Sequence, residues 1–337
     1  YTPYQPEVSQ GTLQVMYEYQ TMICELSGMD VANASLYDAG SALAEACSLA
    51  ISKQKNRKIL VSNTLNPRYI SVLKTYMQYR DVEIKLISES YGKIDIDNLS
   101  VHLPDAIAVV IQSPNYYGVV ENWNEINDQL KNFPNCLFIA VSNPISLSLL
   151  KPPGDCGADI YVGEGQCLGN HLAYGGPYLG LMAATSKFLR KMPGRIVGKT
   201  LDINGDEGYV LTLQTREQHI RRENATSNIC TNQGLIALRA AIYMSLLGKE
   251  MLPKVAELSC QKARYAAEQI ISIPEYTMAY GNDFLNEFVI KTQNSSRQIV
   301  SNAEKEGIFF STLENDESDR RLLIALTEKR TKEDIHT

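Results

Sequence analysis

The segment with the most chemical potential runs from Gly163 to Tyr178 and follows the strand-like residues 158–162. Six of the 21 glycines fall between Gly163 and Gly180. Glycine tolerates positive φ and lets the backbone approach a ligand or another chain segment closely. The segment therefore predicts a functional loop, called here the glycine-rich loop (residues 163–180). The residues expected to line a site or an interface there are Gly163, Glu164, Gly165, Gln166 and Asn170.

Cys167 in this loop has two interpretations. A glycine-rich loop can expose a thiol, and a helix N-terminus can lower its pKa, which would suit a nucleophile. His171 is the only base nearby in the sequence. A small residue in a tight turn explains Cys167 as well, and we favour this structural interpretation.

The first ten residues form a second candidate region. Pro3 and Pro6 favour an extended path for this N-terminal arm. It either lines a site shared between subunits or packs as an interface arm, and both interpretations stay open. Its candidate site-lining residues are Tyr4, Gln5, Glu7, Ser9 and Gln10.

Two further places are suited to ligands. Asn115 and Tyr116 follow a strand that ends near Ile111, and open α/β sheets bind ligands at strand ends. Residues 38–41 lead into an alanine-rich helix whose start could cradle an anion. The Arg and His residues between 216 and 222 predict a solvated face, with carboxylate or phosphate binding as the alternative.

The elements that must position these residues alternate along the chain. Short apolar strands separated by helices predict an α/β fold with a mainly parallel sheet covered on both faces. Helical segments over residues 233–247 and 250–271 precede a smaller α+β region. We expect a large α/β domain with the N-terminal arm over residues 1–250 and a smaller C-terminal α+β domain over residues 251–337. Both ends suggest that the sequence is part of a longer chain.

Composition limits the function classes. Of the 337 residues, 44% are hydrophobic and 21% are charged, and the formal net charge is -6. This acidic balance argues against nucleic acid or an anionic membrane as a partner. No run of about 18 apolar residues occurs, so no transmembrane helix is expected. The seven cysteines form no C-x-x-C pair, which favours reduced thiols in the cytoplasm, and the four histidines do not cluster into a metal site.

Four segments carry a family resemblance: residues 2–11, residues 113–121, the glycine-rich loop, and residues 216–233 with the sequence REQHIRRENATSNICTNQ. Together they resemble the P-protein family of the glycine cleavage system, specifically subunit 1 of the two-subunit glycine decarboxylases. The resemblance extends in order over essentially the whole chain. It implies the fold of pyridoxal-phosphate (PLP) dependent transferases of the aspartate aminotransferase-like fold type I.

The resemblance also implies a division of labour. A partner, subunit 2, holds PLP on a lysine, and the complex decarboxylates glycine and passes the aminomethyl group to the lipoyl arm of the carrier H-protein. This chain has no lysine between Lys151 and Lys187, and Gln166 and Cys167 stand where the partner family places its histidine-lysine pair. Asn143 stands where the fold usually has an aspartate for the pyridine nitrogen. The resemblance therefore implies no covalently bound cofactor and no catalytic residue of its own in this chain.

Two alternatives remain at this point. The chain could be a purely structural scaffold that contributes no active-site group to its partner. It could also be an independent PLP enzyme that uses a lysine from elsewhere, for instance Lys187 or Lys199.

Overall fold

The described part of this computed structural model comprises residues 2–3, 5–51, 57–229, 233–314, 316 and 318–336. The first element is a helix that begins where Ser9 accepts the N–H of Thr12 and ends at Gly28, whose φ is 67°. The sequence predicted this helix and its glycine stop. The elements up to the central sheet are α1 (Gln10–Ser27), β1 (Val31–Ala32), α2 (Ala39–Ile51), β2 (Lys58–Ser62), α3 (Pro67–Met77), β3 (Glu83–Ile87), β4 (Glu89–Ser90), β5 (Lys93–Ile94) and α4 (Ile96–His102).

Seven strands form the central sheet, which adds β6 (Ala106–Gln112), β7 (Leu137–Val141), β8 (Ile160–Glu164) and β9 (Gly180–Ala184) to β1, β2 and β3. Their order is β1-β9-β8-β7-β6-β2-β3. Strands β3, β2, β6, β7 and β8 are parallel, whereas β9 is antiparallel to β8 and β1 is antiparallel to β9. This confirms the predicted mainly parallel sheet. Between β6 and β7 the chain forms α5 (Trp123–Leu130).

The strands are buried on both faces because their side chains alternate between two hydrophobic clusters. Val109 and Phe138 face a cluster that includes residues of α1, α5 and a later helix, α7 (Gly234–Ile271). Val110 and Ile139 face the opposite cluster, which includes residues of α2 and α3. The sheet is therefore a middle layer that holds the carboxyl ends of its parallel strands at one edge.

The segment after the central sheet is more helical, as predicted. It begins with a β-hairpin that the sequence did not predict. The elements are β10 (Ile196–Leu201), β11 (Glu207–Thr212), α6 (Gln218–Arg221), α7 (Gly234–Ile271), β12 (Tyr276–Met278), β13 (Glu287–Thr292), α8 (Ser296–Lys305), β14 (Ser311–Thr312), β15 (Arg321–Ala325) and α9 (Lys332–His336). Strands β12 to β15 form a separate antiparallel sheet in the order β12-β13-β15-β14.

The long helix α7 joins the two sheets. It is interrupted at Gly248, which has φ 58° and ψ -169°, so the two predicted helical segments meet at a kink. The second half of α7 packs against β13 and β15 around Phe288 and Ile324. The predicted domain boundary near residue 250 falls beside this kink, and the division into residues 1–250 and 251–337 stays a prediction.

Candidate functional site

The candidate site lies at the carboxyl ends of β6, β7 and β8. Ser113, after β6, donates its N–H to the carbonyl of Val141 at 2.9 Å, and Ser142, after β7, donates its hydroxyl to the carbonyl of Ser113 at 2.6 Å. Tyr161 on β8 donates its hydroxyl to the carbonyl of Ser142 at 3.2 Å. These contacts bring three strand ends together, which is where open α/β sheets bind ligands.

Glu164, the last residue of β8, accepts three backbone hydrogen bonds at these strand ends. Its Oε2 atom accepts the N–H of Ala39, the first residue of α2, at 3.0 Å. Its Oε1 atom accepts the N–H of Gln166 at 3.0 Å and the N–H of Leu179 at 3.1 Å. Burial, with a smaller contribution from the charge of Asp38, raises the pKa of Glu164 to about 7, against the lowering effect of the three hydrogen bonds. The sequence placed Glu164 in the glycine-rich loop, whereas the structure has it as the last residue of β8, and nothing in the sequence indicated these partners.

Cys167 lies beside Asn143, the residue that replaces the expected aspartate. The Sγ atom of Cys167 is 3.3 Å from Oδ1 of Asn143, and that oxygen also accepts the N–H of Ile145 at 2.9 Å. Burial, with a contribution from the charge of Glu164, raises the pKa of the Cys167 thiol to about 12. A protonated thiol is a poor nucleophile, so this environment favours the structural interpretation of Cys167.

Gln166 and Asn170, two other predicted residues of the glycine-rich loop, form hydrogen bonds with each other. Gln166 donates its Nε2 to the carbonyl of Asn170 at 2.6 Å, and Asn170 donates its backbone N–H to the carbonyl of Gln166 at 3.1 Å. The buried Oδ1 of Asn170 has no hydrogen-bond partner among the described residues. A Cβ at Gly163 would lie 2.4 Å from Oη of Tyr161, and one at Gly165 would lie 2.8 Å from Leu179. Close packing therefore accounts for both glycines.

The turn after β6 points its asparagine inward. Asn115 is completely buried, and its Nδ2 donates to the carbonyl of Gly92 and to Oε1 of Glu121, each at 2.8 Å. Its Oδ1 accepts the N–H groups of Tyr117 and Val119. The hydrogen-bonding capacity of Asn115 is thus used within the fold, and its predicted role in lining a site stays untested.

Tyr116 is more accessible than Asn115. Its backbone N–H donates to the carbonyl of Thr64 at 2.8 Å, and its hydroxyl accepts the N–H of Glu314 at 3.4 Å. Tyr116 therefore bridges the strand end of β2 and the C-terminal region.

In the N-terminal arm, Tyr4 lies outside the described residues. The side chains of Gln5 and Glu7 are exposed. Gln10 instead binds β11, because its Nε2 donates to the carbonyl of Tyr209 at 3.0 Å and its Oε1 accepts the N–H of Tyr209 at 2.8 Å. The oxygen Oγ of Ser9 caps α1. Ser9 and Gln10 have structural contacts in this chain, whereas Gln5 and Glu7 remain available to a partner.

The arginine run also makes structural contacts. The guanidinium of Arg216 donates to the carbonyls of Leu213 and Gly194, and that of Arg221 donates to the carbonyl of Thr215. Within the part of the chain that the structure describes, no three His, Cys, Asp or Glu side chains are grouped to hold a metal ion. Over the same residues, no helix is long and apolar enough to cross a membrane.

The carboxyl ends of β6, β7 and β8 lack the groups that a covalently bound PLP needs. The chain supplies no lysine between Lys151 and Lys187. Asn143 offers an amide where a pyridinium needs a carboxylate. The carboxylate of Glu164 already accepts a hydrogen bond from the first N–H group of α2. We therefore assign no step of a cofactor reaction to residues of this chain.

Comparisons with known proteins agree over the whole length. The family model described as "Glycine cleavage system P-protein" matches residues 1–337. A protein of Desulfitobacterium hafniense named "Probable glycine dehydrogenase (decarboxylating) subunit 1" is 51% identical over 340 residues, which cover 99% of this chain and 76% of that protein. The protein of the same name from Chlorobium phaeobacteroides is 49% identical over 339 residues, with the same coverage.

Solved structures give the same answer for the fold. A crystal structure of glycine decarboxylase (P-protein) of the glycine cleavage system, in inhibitor-bound form, has a TM-score of 0.94 and 39% identity, and covers 100% of this chain and 76% of its own. A NifS-like protein from Rickettsia africae has a TM-score of 0.71 at 14% identity over 97% of this chain and 86% of its own, which bears on the fold alone. The predicted fold type I of PLP-dependent transferases is confirmed.

Proposed function

Because this chain belongs to the P-protein family of the glycine cleavage system, we propose that it acts as subunit 1 of a glycine dehydrogenase (decarboxylating). The observation that carries this proposal is the near-complete match to proteins named subunit 1, at up to 51% identity among those compared. Together with subunit 2, the complex decarboxylates glycine and transfers the aminomethyl group to the lipoyl arm of the H-protein. We place this activity in the cytoplasm, as expected from the cysteine pattern.

In this proposal PLP belongs to subunit 2, where it acts as the electron sink of the reaction. Support comes from the missing lysine, from Asn143 in place of an aspartate and from Glu164 at the start of α2. The residues of this chain contribute from the opposite side. The glycine-rich loop and the exposed Gln5 and Glu7 complete the wall of the partner's site or the interface around it.

The alternative of an independent PLP enzyme has little geometric support. Lys187 forms an ion pair with Asp159, the residue that precedes β8, whereas the candidate site lies at the other end of that strand. Lys199 pairs with Glu207 across the β10–β11 hairpin at 2.5 Å. Borohydride treatment after addition of PLP should therefore leave this chain unlabelled, and stable labelling at either lysine would support the alternative.

The function is tested by reconstitution. This chain is copurified with its candidate subunit 2, and glycine-dependent CO₂ exchange is measured for each chain alone and for both together with H-protein. We expect exchange only when both subunits are present. Exchange by this chain alone would contradict the assignment.

A second experiment separates a site-lining subunit from a pure scaffold. Glu7→Ala and Gln5→Ala remove exposed side chains that form no hydrogen bond or ion pair with the residues that the structure describes. Assembly should therefore be normal while turnover falls about tenfold, the equivalent of roughly 1.4 kcal/mol in the barrier. Gln10→Ala is the matched control for structural damage, because it removes both hydrogen bonds to Tyr209. Unchanged turnover in both arm variants would favour the scaffold.

A further inference from the structure

The start of α2 has the properties of an anion-binding helix end. The helix is 13 residues long, and every one of its residues is buried. It packs against β8 and β9 at the edge where the strand ends meet. The free N–H groups and the positive dipole of a helix N-terminus favour a bound anion.

Carboxylates of the chain itself already fill this helix end. The N–H of Ala39 donates to Oε2 of Glu164 at 3.0 Å, across 125 residues of sequence. The N–H of Ser41 donates to Oδ1 of Asp38 at 2.7 Å. Two of the first three N–H groups of α2 therefore have an anionic acceptor that does not come from a ligand.

Glu164 is fixed in this position from the other side. Its Oε1 atom accepts the N–H groups of Gln166 and Leu179, so one carboxylate joins the two ends of the glycine-rich loop to the start of α2. Gly180 permits this approach, since a Cβ there would lie 2.5 Å from the carbonyl oxygen of Asp38. A side chain with three backbone partners in three segments is part of the fold and not a mobile surface group.

The negative charges of Glu164 and Asp38 disfavour the binding of a further anion at the start of α2. Glu164 and Asp38 lie close enough for the charge of Asp38 to raise the pKa of Glu164, in addition to the effect of burial. A phosphate group would bring more negative charge to the same donors and would have to displace the half-buried carboxylate of Glu164 from the N–H of Ala39. Like charges that share one site disfavour each other strongly.

We infer that Glu164 is a built-in anion that closes the anion-binding end of α2 and thereby keeps the phosphate group of a cofactor out of this chain. The inference deepens the proposed function, because it names the group that would leave PLP to the partner subunit. It predicts that the site reopens when the carboxylate is removed, since the N–H groups of Ala39, Gln166 and Leu179 then lack their acceptor.

The test uses the isolated full chain at pH 8, where a carboxyl group with a pKa of about 7 is mainly ionised. Inorganic phosphate is the probe, and sodium chloride at equal ionic strength is the reference. Wild type should show no specific rise of the melting temperature with phosphate. Glu164→Ala should show a saturable rise of about 2–3 °C at ten times the dissociation constant. Glu164→Gln, which keeps the size of the side chain and loses its charge, should show a smaller rise and provides a second variant if the alanine variant does not fold.

Glu45→Ala is the matched control. Glu45 is a buried carboxylate on α2, with a pKa raised by burial, but it lies in the middle of the helix, away from the N–H groups at the helix start. The melting temperature of Glu45→Ala should not rise specifically with phosphate. A folded Glu164 variant that responds no more than wild type, or a wild type that binds phosphate as well as Glu164→Ala, would overturn the inference. The experiment contains no glycine and no partner, so its failure is distinguishable from a failure of the proposed function.

Discussion

Cys167 shows how a reactive residue type is made inert by its surroundings. Burial and the charge of Glu164 raise its pKa to about 12. At pH 8 only about one such thiol in ten thousand is ionised, compared with roughly one in four for a free cysteine. We therefore expect iodoacetamide to alkylate Cys167 at least about a hundredfold more slowly than glutathione, as measured by mass spectrometry of the folded chain.

The corresponding variant tests the same point through activity. Cys167→Ser should leave the turnover of the reconstituted complex unchanged, because the thiol makes only weak contacts, to Oδ1 of Asn143 and to the carbonyl of Glu164. Rapid alkylation of Cys167, or a large loss of turnover in the serine variant, would restore the nucleophile interpretation.

Glu164 should make stability depend on pH in the direction opposite to that of a salt-bridged carboxylate. Its pKa rises from 4.5 to about 7 on folding, so between these values the folded state binds more protons than the unfolded state. The free energy of unfolding therefore falls as pH rises from about 5 to about 7, by on the order of 3 kcal/mol at roughly 1.4 kcal/mol per pKa unit. Urea unfolding of wild type and Glu164→Gln at pH 5 and pH 7.5 measures it, and equal pH dependence in both would contradict this role.

For single residues, the sequence predicted which residues belong to the candidate site better than it predicted their contacts. It identified Glu164, Gln166 and Asn170 as polar residues in a glycine-rich loop, and the structure brings all three into one hydrogen-bonded network. It could not show that Gln10 would bind β11 or that Asn115 would turn inward. Those contacts depend on segments that are distant in sequence, and local patterning carries no information about them.

Among the elements, the strands of the central sheet were predictable because continuous apolar runs bounded by polar residues are typical of buried parallel strands. The predicted strand over residues 58–62 has the observed bounds of β2. The β10–β11 hairpin was missed because its strands are largely solvent-exposed and alternate weakly. The Asn204-Gly205 pair in its turn was the available signal, since this dipeptide is strongly favoured in hairpins.

A glycine at one turn controls how the region after α7 packs against the central sheet. Gly118 has φ 81°, and a Cβ there would lie 1.9 Å from the carbonyl oxygen of Glu287 on β13. The neighbouring Val120 donates its N–H to the carbonyl of Asp283 at 2.9 Å. Gly118→Ala should therefore lower the free energy of unfolding by more than about 2 kcal/mol, through strain and through the clash.

Gly205→Ala separates these two causes. Gly205 also has a positive φ, 85°, but a Cβ there would meet no atom within 4 Å. Its variant should lose about 1 kcal/mol from conformational strain alone. Equal losses in the two variants, measured by urea unfolding, would show that the contact with β13 contributes nothing.

For the whole molecule, the proposed partner should cover apolar side chains that this chain leaves in solvent. Leu172 and Tyr174 of the glycine-rich loop are largely exposed. Neighbouring apolar side chains that are both exposed often mark a surface that a partner protein covers. If the loop lies at the interface with subunit 2, Leu172→Ser with Tyr174→Ser should weaken the complex about tenfold or more, as measured by analytical ultracentrifugation or titration calorimetry.

Tyr91→Ser is the control for this experiment. Tyr91 is as exposed as the loop residues, but it lies in the turn between β4 and β5. Its variant should bind subunit 2 like wild type. Normal affinity in the loop double variant, or an equal loss in both variants, would move the predicted interface away from the glycine-rich loop.

The pairing of β1 with β9 has a consequence for biosynthesis. Val31 pairs with Ala184 and Ala32 with Ala183, so the strand between α1 and α2 finds its place only after about 150 further residues have been synthesised. At ~5–20 residues per second, the interval on the ribosome is roughly 8–30 s. During that time β1 has no partner strand, because β9 is the last strand of the central sheet to be made. We therefore expect the nascent N-terminal segment to bind a ribosome-associated chaperone.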